Sequence, residues 1–147
     1  MKDIHLKYLD KLISDLQKIK PYWAVDENIK YLLDSEIKPS YGRYHIYKIS
    51  TKTLMSLSDL KEVNKDKLFN RENSINDRRI SRILDRWENG KFVDPPKIGF
   101  NKQTKKIVFS DGRHRFKLSY FLEIDKIPVA IEKDNVKDII TAANRLV

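Results

Sequence analysis

Apolar positions along this chain change period several times, and each change marks an element. Leu6, Leu9, Leu12, Ile13, Leu16 and Ile19 form a stripe among lysines and aspartates, which predicts an amphipathic helix over Asp3 to Lys20, ended by Pro21. Asp26 to Leu33 reads as a short second helix with an aspartate cap. After the turn-rich Pro39 to Gly42, Tyr44 to Ile49 is a β-branched and aromatic strand. Ser56 or Ser58 stands where it would cap a helix to about Asp66, carrying Leu57, Leu60 and Val63. Ile80, Ile83, Leu84 and Trp87 fall at i, i+3, i+4 and i+7, the clearest helical signal in the chain, over Asp77 to Glu88, with Asn89-Gly90 as the stop. Pro95-Pro96 forces an extended entry into Lys97 to Phe100. The basic turn Asn101 to Lys106 then returns into Ile107 to Phe109, a predicted hairpin. Arg113 to Glu123 is helical, and Ile127, Val129 and Ile131 alternate as a half-buried strand. Asp134 or Asn135 caps a last helix whose apolar face is Val136, Ile139, Ile140 and Ala143.

Helices and strands mixed in this order imply an α+β domain. The 147 residues suit one domain, with residues 1–38 as an N-terminal helical extension and 134–147 as a C-terminal helix. Charged residues make up 35% of the chain and the net charge is +9, which favours an anionic partner: nucleic acid, nucleotide or an acidic protein. The absence of cysteine excludes disulfides, thiolate metal sites and cysteine nucleophiles together. His5, His45 and His114 have no metal-ligand spacing. Charges interrupt the N-terminus too early for a signal-peptide core, and no apolar run is long enough to span a membrane, so a cytoplasmic protein without membrane association is expected.

Chemistry concentrates in Ser110-Asp111-Gly112-Arg113-His114-Arg115-Phe116, a charged turn between the strand Ile107 to Phe109 and the next helix. Glycine permits positive φ and a close approach to the backbone. The first-turn amides of the helix lack intrahelical acceptors and lie at the positive end of its dipole, so the turn suits an anion. Arg113, His114 and Arg115 add up to three cationic donors. Asp111 is a hard oxygen donor of the kind Mg²⁺ takes beside phosphates, or else the side chain of an Asx turn. Glu72, in the polar loop Phe69 to Ser74, is placed to orient or deprotonate water, or else is a solvated loop charge. Arg78, Arg79, Arg82 and Arg86 share one face of the Asp77 to Glu88 helix, and read first as a solvated face paired with Asp77, Asp85 and Glu88, second as a phosphate-tracking one. Lys102, Lys105 and Lys106 at the hairpin tip suit nucleic-acid phosphates.

Asn70-Arg71, the helix ending Trp87-Glu88-Asn89-Gly90, the Pro-Pro entry to a hairpin, Asp111-Gly112-Arg113-His114-Arg115 and the strand Ile127-Pro128-Val129 together resemble the ParB/sulfiredoxin superfamily over about residues 44 to 132. The resemblance implies a small mixed sheet with flanking helices. It also implies a turn, Gly112, Arg113, His114 and Arg115, that contacts nucleotide phosphates, with Asn70 and Arg71 reaching them from the upstream loop. The corresponding turn is Gly-Glu-Arg-Arg in ParB-like proteins and Gly-Cys-His-Arg in sulfiredoxins. Arg113 stands at the sulfiredoxin cysteine, so sulfinic-acid reduction is excluded. ParB clamps carry glutamate there, together with DNA-reading and dimerisation segments, so a partition clamp is not expected. The remaining branches are small stand-alone members, many of phage or plasmid type, with NTPase, nuclease or kinase activity or an inhibitor role. The expectation is therefore a nucleotide-binding protein that hydrolyses ATP or another NTP with Mg²⁺, or cuts DNA, with Glu72 and Asp111 as catalytic residues. Beside it stand a non-catalytic nucleic-acid-binding module and an interaction protein that docks a partner through Leu9, Ile13 and Leu16.

Overall fold

Five successive residues of one strand, Ile127 to Ile131, are buried, and the rest of the chain is laid on both sides of them. In the computed structural model, which describes residues 4–58, 60, 68–69 and 74–146, the strands are β1 (Tyr44–Ser50), β2 (Lys97–Asn101), β3 (Lys106–Asp111) and β4 (Lys126–Glu132). The helices are α1 (Ile13–Leu16), α2 (Thr51–Leu57), α3 (Ser74–Glu88), α4 (Arg113–Phe121) and α5 (Val136–Asn144), with short 3₁₀ turns between. The fold is α+β. Its sheet is mixed, in the order β1-β4-β2-β3, with β4 antiparallel to β1 and parallel to β2. The predicted hairpin of β2 and β3 forms.

Alternation along β4 decides the layers. Ile127, Val129 and Ile131 face a core shared with Ile49, Leu54, Ile98, Ile107, Phe116 and Ile139. Ala130 faces the other way, onto Ala24, Leu32, Ile37 and Tyr44. Residues 24–37 therefore cover the second face of the sheet, which corrects one expectation: the strand is buried on both faces rather than half-buried. Lys97 Nζ fixes this cover by reaching Asp34 Oδ2 at 2.9 Å and Glu36 Oε2 at 3.0 Å, while the Asp94 carboxylate accepts from the Leu33 and Asp34 amides, both at 2.9 Å.

The N-terminal amphipathic helix is not formed. Ile4–Leu6 is a 3₁₀ turn and α1 has four residues. Tyr8, outside the predicted stripe, is wholly buried against α3, and its hydroxyl donates to Glu88 Oε1 at 3.2 Å. Leu16 is buried while Leu6, Leu12 and Ile13 stay exposed, so Leu9, Ile13 and Leu16 do not make a docking stripe. One strong tertiary anchor has overridden a helical period. Asp26–Tyr31 is 3₁₀, and Asp26 is its first residue at φ 53°, not its cap. The helix expected from Ser56 or Ser58 begins earlier: Ser50 caps α2 by accepting from the Thr53 amide, and Ser58 follows its last turn. The rest of the expected helix, to Asp66, lies mostly outside the described residues. Asn135 precedes α5 as expected, but its Oδ1 accepts from the Phe100 amide at 3.1 Å and pins the helix to β2 instead of capping it.

Helix α4 is clamped between two layers. Phe116 enters the sheet core, stacked on Phe109 at 4.9 Å, while Leu118 and Leu122 enter a second core with Ile80, Leu84 and Trp87 of α3. This packing sets α3 alongside the first turn of α4. Among the described residues no helix is long and apolar enough to cross a membrane.

Candidate functional site: a cationic cleft at the start of α4

The chain passes from β3 to α4 through Gly112, whose φ is +84°, a region that side chains with a Cβ adopt only at a cost. A Cβ there would lie 2.8 Å from the Pro96 Cα, inside any real contact. The glycine thus makes room for Pro96 of the same chain, which corrects the expectation that it clears space for a ligand. Asp111 Oδ1 accepts from the Gly112 amide at 2.9 Å, closing the turn on itself. Asp111 Oδ2 pairs with Arg115 Nη2 at 3.1 Å, and Arg115 Nη1 donates to the Asp94 carbonyl at 2.7 Å. The Arg115 guanidinium is therefore half-buried and held from two sides, preorganised but not idle.

Between this turn and α3 lies an open cleft of about 470 Å³. Its α3 wall is Arg79, Arg82 and Ile83, and its other wall runs from Phe109 through Arg115. Arg79 and Arg82 are exposed, and neither has a salt bridge among the described residues. The face first read as solvation therefore contributes two arginines to the cleft. Arg86 behaves otherwise: its Nη2 donates to the Phe92 carbonyl at 2.6 Å. Four arginines from two helices converge where the first-turn amides of α4 lack intrahelical acceptors, since the first such bond runs from the Phe116 amide to the Gly112 carbonyl.

His114 reports the resulting field. Burial, then the charges of Arg79, Lys117, Arg113 and Arg115, push its imidazole down to about 4. It is neutral at pH 7, so it offers a hydrogen bond and not the third cation the sequence suggested. Lys117, one turn further and buried, donates to Asn76 Oδ1 at 3.1 Å, and Asn76 Nδ2 donates to Asp77 Oδ1 at 2.9 Å. Burial lowers the Lys117 pKa against the pull of Asp77. This polar link between α3 and α4 was missed from sequence; its available signal was a lysine between Phe116 and Leu118, on a helix that has to be buried.

Asn70, Arg71 and Glu72 lie outside the described residues. Lys102, Lys105 and Lys106 lie in the hairpin turn or at the start of β3, exposed and about 17 Å along the strand from Asp111 at 3.3 Å per residue, so the structure does not bring them to the cleft. Among the described residues the lining of the cleft holds one carboxylate, Asp111, paired with Arg115 and flanked by arginines. The described residues contain no cluster of three potential ligands. No protein-family model matches the chain, and no curated protein or solved structure matches it significantly.

Proposed function

We propose that the cleft binds a phosphorylated ligand of the nucleotide class, and that the chain is a ParB/sulfiredoxin-like nucleotide-binding protein. The observation that carries this reading is the convergence of Arg79 and Arg82 from α3 with Arg113 and Arg115 on the start of α4. Arginine binds phosphate oxygens through two parallel hydrogen bonds, and the helix amides supply further donors of the same polarity. Ile83 on the α3 wall and Phe109 on the facing wall supply apolar surface for a base or ribose. Mg²⁺ on this reading enters with a di- or triphosphate as part of the ligand, and Asp111 shares it. On this reading hydrolysis of ATP or another NTP, or cleavage of DNA, assigns Glu72 to the attacking water.

Arg79 and Arg82 test the site more cleanly than Arg115, because Arg115 also holds the turn to Asp94. Calorimetry with pyrophosphate, ADP, ATP and CTP, with and without Mg²⁺, is expected to show binding that the Arg79→Ala/Arg82→Ala pair weakens by about 10- to 100-fold with an unchanged melting temperature. Phosphate release on the same samples separates an enzyme from a binding protein. Absent binding, or binding the pair does not weaken, would remove the cleft as the site. A second reading, contact with a nucleic-acid backbone, draws on the exposure of the same two arginines, and duplex competition for pyrophosphate would reveal it.

A further inference from the structure

At the other end of β3 from that turn, the β2–β3 hairpin tip and α5 line a second groove of about 600 Å³. Its floor is apolar: Leu57, Phe100, Ala142 and Leu146, with Leu146 52% exposed. Its rim is cationic: Lys102 and Lys105 on the hairpin side, Lys137 and Arg145 on the helix side. Asp138 is the one carboxylate among the lining residues, and none of the four rim cations has a salt bridge among the described residues. Eight residues of helical rise put Lys137 and Arg145 about 12 Å apart along the axis of α5, so the cationic rim on the helix side runs beside half-buried Ala142 to the exposed Leu146.

We infer that this groove docks an acidic, amphipathic protein segment, one that inserts a large apolar side chain between flanking aspartates or glutamates. Charge complementarity selects the sign of the occupant, because four unpaired cations around one carboxylate repel any basic partner and gain from an acidic one. The floor selects its class. A phosphodiester backbone has nothing to place on Leu57, Ala142 and Leu146, and one half-buried phenylalanine is not the row of aromatic faces on which successive bases stack. A peptide anchor removes that floor from water while its carboxylates meet the rim, so both halves of the groove are used by one ligand. The hairpin lysines then belong to a protein contact and act independently of the arginine cleft.

Fluorescence anisotropy on the full chain tests this with three labelled probes: a glutamate-rich peptide carrying a central Leu-Phe anchor, the same peptide with the anchor replaced by Ser-Ser, and an oligothymidylate. The anchored peptide should bind at least tenfold more tightly than its equally charged control. Leu146→Ser should abolish that preference while retaining the residual charge-driven binding. Lys137→Glu with Arg145→Glu should weaken both peptides by tenfold or more, and Arg79→Ala/Arg82→Ala should leave the tenfold preference for the anchored peptide in place. Circular dichroism of each variant checks that these exposed substitutions leave the fold intact. No peptide binding, equal affinity for the two peptides, or a preference that survives Leu146→Ser would overturn the inference. Tighter oligothymidylate binding lost in the Lys137/Arg145 variant would overturn it in favour of a nucleic-acid face.

Discussion

Asp111 shares Arg115 with whatever anion enters the cleft, since its Oδ2 lies 3.1 Å from the guanidinium. A carboxylate in that position opposes a free anion and favours a cation-carrying one, and the two effects have opposite signs. Asp111→Asn is expected to tighten metal-free pyrophosphate by about fivefold, or about 1 kcal/mol, the size of one like charge removed at a few ångströms in a wet site. The same substitution should raise the Mg²⁺ concentration needed to saturate ATP binding if Asp111 reaches the metal. Calorimetry reads both, and weaker metal-free binding would show that Asp111 matters more for shaping the turn. His114 gives an independent readout. Its folded value of about 4 lies below the ordinary 6.5, so the unfolded chain takes up the proton first as pH falls. The stability it contributes is complete above about 6.5 and is lost as pH drops through that window toward 4. His114→Gln should flatten the decline of melting temperature over that interval. In the wild type, sulfate should move the imidazole titration upward, followed by NMR, because a bound anion offsets the arginines that hold it down.

At the scale of elements, the segment Asp94 to Lys97 joins the N-terminal cover to the cleft. Its carboxylate and lysine hold residues 33–36, and the Asp94 carbonyl holds Arg115. Lys97→Ala removes two charge-assisted contacts from a side chain only 14% exposed, with an expected loss of about 1–2 kcal/mol in chemical denaturation and faster hydrogen exchange at residues 33–41. These long-range straps are what the sequence could not display. Helix α3, the hairpin and α5 were legible because their apolar residues keep one period, and α4 was legible from the glycine turn that starts it, since its own apolar residues divide between two cores. The first forty residues were not, because Tyr8 and Leu16 are anchored one at a time on α3 and its neighbours, and such anchors leave no period. The glycine turn with Arg113 and Arg115 could likewise be read locally, whereas Arg79 and Arg82 became part of the cleft only through the docking of α3 on α4.

For the molecule as a whole, a net charge of +9 distributes cations well beyond the cleft and predicts an undiscriminating attraction for duplex DNA. Two unrelated duplexes should bind with equal, weak affinity that falls steeply between low and physiological salt, as counterion release requires. A sequence preference that persists at high salt would contradict that. The arrangement of contacts has a further consequence for synthesis. Lys7 and Tyr8 meet Asp85 and Glu88 across 77 to 80 residues of chain, and the amides of Leu33 and Asp34 meet Asp94 across 61 and 60. At about 5 to 20 residues per second, the first-made segment is completed roughly 4 to 16 s before the helix that receives it. During that interval Tyr8, Leu16, Leu32 and Ile37 have no core to enter, so the nascent chain presents its own apolar anchors to chaperones or to other nascent chains. Overexpression yield should then depend on translation speed more than on the stability of the finished fold, with the losses appearing as aggregates that contain the N-terminal segment.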